Sequence, residues 1–288
     1  MAAERSHPVF LQPHDENVPV WRFMDFAKFA HLLFTSSIYF ARADRLGDPF
    51  EGVLPPQTLR ALEPSLRRIY LEGGNAPANV QQILHGGPDF PGLGMLEHTK
   101  RMYKLQREWT YVSCWHANPA ESAAMWRLYT QSQDAIAIRS TYARLGNALP
   151  SEAILGVVQY VDFDDARVDF TNLFLPFVIK RKSFEHEREV RAVMQEVPLV
   201  SIDGEKAALL TGTKAPHGRD SSDKWHIEWR PNEKAGMGVS IEPTALIEEV
   251  YVAPSATDWF LELVRHMVDK SGVGAPVRRS SLESQPVW

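Results

Sequence analysis

The stretch Lys180-Arg-Lys-Ser-Phe-Glu-His-Glu-Arg-Glu-Val-Arg-Ala-Val-Met194 gathers Glu185, Glu187, Glu189, Arg188 and Arg191 and then runs straight into apolar residues. A merely solvated charge run has no reason to end that way. Side chains two apart share a face of a strand. Glu187, Glu189, Arg191 and Val193 are therefore expected on one face, and Val190, Ala192 and Met194 on the other. On this reading acids and their basic partners stand at the mouth of a buried sheet. An Arg–Glu ion-pair lattice at a strand end accounts for the same pattern, since structural networks also gather charges.

Bulk properties bound the class. With 288 residues, 44% hydrophobic and 23% charged, the chain has the make-up of a soluble globular protein able to bury a real core. A net charge of −5 argues against nonspecific coating of DNA, which needs a basic surface, and leaves room for a local basic groove. Cys114 is the only cysteine, which excludes an intrachain disulfide and a multi-cysteine zinc site. Cys114, His116 and His186 also lack the spacing of a zinc set. The first residues lack the apolar core of a signal peptide, and no uncharged apolar run approaches ~18 residues. These features lead us to expect a cytoplasmic protein with no membrane partner.

Residues 1–19 are polar and proline-bearing and read as a loose N-terminal arm. From residue 20 to 288 the pattern predicts a single α+β domain. Val20–Met24 and Ile38–Ala41 read as strands around a helix with Asp25 as its cap and Phe26, Phe29, Ala30 and Leu33 at helical spacing. Residues 55–108 read as a helical insertion, in pieces at Leu59–Leu71, Asn79–Leu84 and Met95–Glu108. Thr110–Trp115 is a strand, and Asn118-Pro-Ala-Glu121 is the expected start of a helix. Ala135–Ile138 and Ile154–Tyr160 are strands. Phe170–Ile179 reads as a helix bent at Pro176, with Lys180-Arg-Lys182 as its basic end. Ser201–Gly236 reads as a polar excursion before a strand at Gly238–Ile241. Glu249–Ala253, a helix capped near Ser255, and Pro276–Ser280 form a C-terminal strand–helix–strand cap. The fold class is α+β, with a central mixed sheet carrying the insertion and the cap.

Several ordered motifs then suggest a family. Trp-Arg-Phe-Met-Asp (21–25), Ile-Tyr-Phe-Ala-Arg-Ala-Asp (38–44), Asp-Pro-Phe-Glu-Gly (48–52), Val-Ser-Cys-Trp-His (112–116), Glu-Ser-Ala-Ala-Met-Trp (121–126), Ser-Phe-Glu-His-Glu-Arg-Glu-Val-Arg (183–191) and Val-Tyr-Val-Ala-Pro (250–254) stand in sequence. Over roughly residues 20 to 283 they resemble the bacterial family catalogued as domain of unknown function 2971. A second resemblance, to the ADP-ribosyltransferase fold, rests on Arg22 on a first strand, Ser113 on a later one and Glu187-Arg-Glu189 on a further one. Ser113 departs from the usual Ser-Thr-Ser setting, and a long insertion intervenes.

The second resemblance implies an enzyme cleaving NAD, and the family-level resemblance hints at a defence or stress role that suits an enzyme or a binding module alike. Breaking the nicotinamide–ribose bond develops an oxocarbenium-like cation, which a fixed carboxylate stabilises. Glu189 would take that role, with Glu187 orienting a protein or nucleic-acid acceptor. Arg22 would grip phosphate or ribose through paired donors, and Ser113 completes the catalytic set. Tyr39, Trp115 or Trp126 would stack on a ring, with the tryptophans partly exposed to the cleft. Arg42, His116 and Arg191 complete the expected substrate-binding set. The rival enzyme reading is a metal-dependent nuclease with Asp48, Glu51, Glu185, Glu187 and Glu189 as oxygen ligands. The non-enzyme reading is a nucleotide-sensing or interaction module. No glycine-rich phosphate loop in the right context supports a dinucleotide fingerprint.

Overall fold

The computed structural model describes residues 2–67, 95–130, 133–169, 172–201, 207–211, 225–228 and 230–282. Its centre is the β-rich run that follows the insertion, strand β3 (Thr110–Ala117), buried along nearly its whole length. Strand β1 (Pro19–Asp25) leads into helix α1 (Phe26–Thr35), with Asp25 at the cap position but making no side-chain capping bond. Ser36 then adopts a left-handed backbone (φ 47°) that turns the chain into strand β2 (Ser37–Arg42).

Both β1 and β2 pair antiparallel with β3, at different ends of it. Trp21 lies opposite His116 and Val20 opposite Ala117, whereas Ala41 lies opposite Val112 and Arg42 opposite Tyr111. Between those contacts, among the described residues, no strand pairs with Ser113–Trp115 on that side. The sheet forks there, and α1 joins the two arms of the fork.

On the other side of β3, strand β8 (Glu189–Ser201) pairs antiparallel from Gln195 opposite Thr110 to Glu189 opposite His116. The far side of β1 pairs with β4 (Ala135–Thr141), then β12 (Glu249–Val252), then β13 (Val277–Arg279). The β12–β13 pair is parallel, and the ladders it joins are antiparallel, so the central sheet is mixed, as expected. Shorter strands complete it: β5 (Ile154–Val157), β9 (Ala207–Thr211) and β10 (Trp225–Ile227) pair with β8, and β11 (Gly236–Ser240) pairs with β2. Strands β6 (Gln159–Val161) and β7 (Ile179–Arg181) form a separate parallel pair.

The helices follow the faces. Helix α2 (Pro56–Arg67) and helix α3 (Met95–Glu108) pack together as the two ends of the insertion; the expected piece at 79–84 lies outside the described residues. Helix α4 (Ala123–Tyr129) packs on β1, and α5 (Tyr142–Ala148) packs on the short α6 (Pro243–Leu246). Helix α7 (Asp258–Ser271) is the crossover between β12 and β13, capped by the Thr257 hydroxyl. That completes the expected strand–helix–strand cap. No helix among the described residues is long and apolar enough to cross a membrane.

Three expectations need correction. The N-terminal arm is not loose over its described residues. Glu4 bridges Ile154, Leu11 bridges Val157, and Phe10 is buried against Phe174 in the second hydrophobic core. The strap covers the edge that β5 would otherwise expose, which is how sheets commonly avoid unpaired edges. Second, the described part of 170–179 is a 3₁₀ turn (Leu175–Phe177) feeding β7 rather than a helix. Pro176 lacks the donor a helix needs, and the surrounding Phe174, Phe177, Val178 and Ile179 all bury into the core. Lys180 is therefore a strand residue, not a helix terminus. Third, α4 begins at Ala123 with Ser122 as its cap. Glu121 does not cap the helix; it accepts from the Trp126 indole at 3.1 Å and from Ser281.

Candidate functional site

Residues opposite one another in an antiparallel ladder share a face. Trp21, His116 and Glu189 therefore lie on one face of the sheet, with Phe23, Cys114 and Arg191. Arg22, Ser113 and Trp115, each one position along, lie on the other. The expected alternation along β8 is realised: Val190, Ala192 and Met194 join the core beneath α1 and α7, and Val193 joins the second core. Glu189 and Arg191 share the face of Val193, while Glu187 ends the 3₁₀ turn (Lys182–Glu187) that leads into the strand.

A cavity of about 810 Å³ opens at the fork. It is lined from both faces, so it runs through the gap between β1 and β2. Arg22, Trp115 and the α1 residues Lys28 and His31 contribute from one side. Trp21, Phe23, Tyr39, Cys114, His116, Glu187 and Glu189 contribute from the other, with Asp48, Glu51, Tyr129, Lys180 and Phe184.

The Arg22 guanidinium bridges the fork. Its Nη1 donates to Ser113 Oγ at 2.9 Å and its Nη2 to the Tyr39 carbonyl at 2.7 Å, and it lies 5.8 Å from the Trp115 ring centre. Among the described residues no carboxylate pairs with it. Desolvation outweighs the upward pull of Cys114 and brings its pKa down to about 10, so it stays cationic at neutral pH.

The opposite wall is a buried ion network. Arg191 donates through Nε to Glu189 Oε1 at 2.7 Å and through Nη2 to Glu189 Oε2 at 2.9 Å. It also grips Glu51 at 2.8 and 3.1 Å and the Phe177 carbonyl at 2.7 Å. Lys180 Nζ contacts Glu187 at 2.5 Å, Glu189 at 3.0 Å and Glu51 at 3.3 Å. Burial alone would raise the Glu189 pKa, but Arg191 and Lys180 outweigh it and hold the carboxyl down at about 2. Burial would lower Lys180, yet Glu189 and Glu51 hold it well above its ordinary value. Beside this network Arg181 pairs with Asp48 at 2.8 Å. Burial also pushes the Cys114 thiol well up, next to Glu189.

His116 is 6% exposed and donates Nδ1–H to the Glu187 carbonyl at 2.5 Å. Its Nε2 is buried and has no partner among the described residues. Burial lowers its pKa from 6.5, with the Glu187 carbonyl working against the shift.

The expected catalytic set is only partly assembled. Arg22 and Ser113 meet, but Ser113 is buried behind Arg22 and does not line the cavity. Glu187 and Glu189 line it, yet Glu189 leaves the sheet on the face opposite Arg22. Of the expected binding residues, Tyr39, Trp115 and His116 line the cavity. Trp115 is 2% exposed and Trp126 5%, so neither ring is presented to solvent. Trp126 instead packs edge-on against Phe23. Arg42 lies buried away from the cavity, held by Asp44 and by the carbonyls of Asn232 and Lys234. Arg191 lies beneath the cavity wall. Of the alternative metal ligands, Asp48 and Glu51 face the cavity, while Glu185 is exposed outside it.

Sequence reasoning missed Lys180 and Tyr129, and also Tyr160, whose hydroxyl accepts from the Glu189 backbone N–H at 2.8 Å. Lys180 looked like a helix end because the strand signal of Ile179–Arg181 is only three residues long. Comparison of the chain with protein-family models, curated proteins and solved structures returns no match.

Proposed function

We propose that the fork cavity binds a dinucleotide of the NAD class and that the chain acts on it as an ADP-ribosyltransferase-like enzyme, with a protein, nucleic acid or water as acceptor. The observation that carries this reading is Arg22, a half-buried cation with no described acid partner, held in the same cavity as an ionised carboxylate wall. A phosphate satisfies an uncompensated guanidinium through charge-assisted hydrogen bonds. The volume falls within the ~300–1,000 Å³ typical of small-molecule sites, and Trp21, Phe23, Tyr39 and Trp115 offer aromatic walls. Glu189, held near a pKa of about 2, is a fixed negative charge rather than a proton carrier. Such a charge stabilises a developing oxocarbenium ion.

One observation favours a second reading, a nucleotide-sensing module without chemistry. Both Glu189 oxygens already accept from Arg191, and one also from Lys180. The metal-dependent nuclease has less support, because the Lys180 ammonium sits among the Glu51, Glu187 and Glu189 oxygens a divalent ion would need.

Calorimetric titration with NAD, beside an assay of nicotinamide release, separates the readings. Binding with release supports the enzyme, and binding without release supports the sensor. Neither binding nor release at millimolar NAD overturns both.

A further inference from the structure

The Glu187 carboxylate, expected to orient the acceptor, is held by Lys180 at 2.5 Å. Its backbone carbonyl does something different: it accepts the His116 Nδ1 proton at 2.5 Å. A carbonyl can only accept, so this bond fixes the tautomer, with the proton on Nδ1 and a lone pair on Nε2. That Nε2 is buried and unpartnered among the described residues, an arrangement that native proteins rarely leave without a reason. It belongs to a residue that lines the cavity.

We propose that His116 is the general base of the site, taking the proton of the incoming nucleophile while Glu187 positions the ring through its main-chain carbonyl. The inference rests on the NAD-cleaving reading and adds the proton path that reading lacks. The bond from ribose C1′ to the nicotinamide nitrogen breaks, and its electron pair leaves with neutral nicotinamide. The bond from C1′ to the oxygen of water or an acceptor hydroxyl forms, and the proton of that oxygen passes to His116 Nε2. Glu189, opposite His116 in the ladder, supplies fixed negative charge beside the cation.

The charged surroundings of the ring are Glu187, Arg188 and His186 from the preceding turn and Glu189 from β8. From β1 it meets apolar rings, Phe23 at 6.4 Å between centres and Trp21 as cross-strand neighbour. Burial in this setting keeps the imidazole neutral, which is the form a base requires.

Two variants separate the roles of the two nitrogens. In His116→Asn the amide N–H can still reach the Glu187 carbonyl, but no base remains. In His116→Gln the amide reaches the Nε2 position and the Nδ1 bond is lost. Purified full-length protein is assayed for nicotinamide release from NAD with water as acceptor across pH, with NAD affinity measured alongside. His116→Asn is expected to lose about 10²–10⁴-fold in release while NAD affinity stays within about threefold. The wild-type rate is expected to fall as pH drops below 6.5, and this limb is absent from the residual rate of either variant. Release by His116→Asn within about threefold of wild type overturns the proposal while leaving the NAD reading intact. An acid limb that persists unchanged in the residual rate of His116→Asn also overturns it, because the titrating group is then another one. A wild-type chain that binds no NAD overturns the underlying reading, and the base assignment with it.

Discussion

Glu189 and Arg191, two residues apart on one face of β8, meet through paired hydrogen bonds of 2.7 and 2.9 Å, and neither is appreciably exposed. Removing the charge of Glu189 alone leaves Arg191 with Glu51 but sets an amide N–H₂ against a guanidinium or ammonium donor. Breaking a buried pair on one side costs roughly 3–5 kcal/mol, and the remaining Glu51 contact puts Glu189→Gln near the lower end. Arg191→Met leaves the buried Glu51, Glu187 and Glu189 carboxylates to Lys180 alone and should cost more. Chemical denaturation of both variants and of the double variant checks this. The double variant should lose less than the two singles added, because the residues share one network.

Acid should unfold the protein through the same group. The Glu189 pKa lies at about 2 in the fold, below its ordinary 4.5. The unfolded chain therefore binds more protons in this window, so stability rises with pH and is lost as pH falls. The contribution is complete above pH 4.5 and is lost as pH drops through 2. Melting temperature plotted against pH should show a steep acid limb in wild type and a shallower one in Glu189→Gln. Parallel curves would remove Glu189 from the account.

The alternation along β8 was legible because period-two patterning is local, and the charges of Glu189 and Arg191 marked the buried polar face. Lys180 was not, since its role depends on Glu51 and on a three-residue strand whose partner is elsewhere. The fork was invisible for the same reason: strand β3 is shared between β1 and β2 by long-range pairing that no local pattern encodes. Trp115 and Trp126 read equally well as site or core residues, because an indole suits both. The N-terminal strap carried one signal that compositional reading passed over, Phe10-Leu11 between two prolines.

Arg22 should behave unlike Arg191, though both are arginines at one cavity. Arg22→Met strands no described acid; it takes one donor from the Tyr39 carbonyl and leaves Ser113 Oγ with the Trp115 indole N–H at 3.2 Å. A lost neutral partner costs about 1–3 kcal/mol, so the variant should fold. If Arg22 is the phosphate contact, its NAD affinity should fall by at least about tenfold, the equivalent of 1.4 kcal/mol. Unchanged affinity in a folded variant would place any ligand phosphate elsewhere.

The strap meets β5 most closely at Gly156, where an added Cβ would stand 2.8 Å from Phe10 Cβ and 3.0 Å from the Leu11 carbonyl oxygen. Gly156→Val should therefore lift the strap and open residues 2–12 to limited proteolysis. Phe10→Ala should cost about 3–5 kcal/mol, as other large buried-ring deletions do. Full protease resistance in Gly156→Val would mean that the strap is not held at that point.

The Asp-Pro-Phe-Glu-Gly segment ends at Gly52 for a reason that the ion network explains. Gly52 has φ +69°, and an added Cβ would lie 2.5 Å from Phe177 Cε1 and 3.0 Å from Arg107 Cγ. The left-handed backbone favours glycine on its own account, and the contact with a buried ring allows no relief by swinging a flexible chain end. Glu51, immediately before it, reaches both Arg191 and Lys180, and Phe177 supplies the carbonyl that Arg191 also binds. Gly52→Ala thus strains the backbone and presses on the Phe177 ring, whose carbonyl Arg191 binds, and on Arg107. Backbone strain of this kind costs about 1–3 kcal/mol, and displacement of Glu51 adds to it. The variant should therefore melt clearly below wild type, although it changes no charge. If Gly52→Ala instead melts within a degree of wild type, the segment has room to shift and the tight packing of Glu51 is not what fixes this turn.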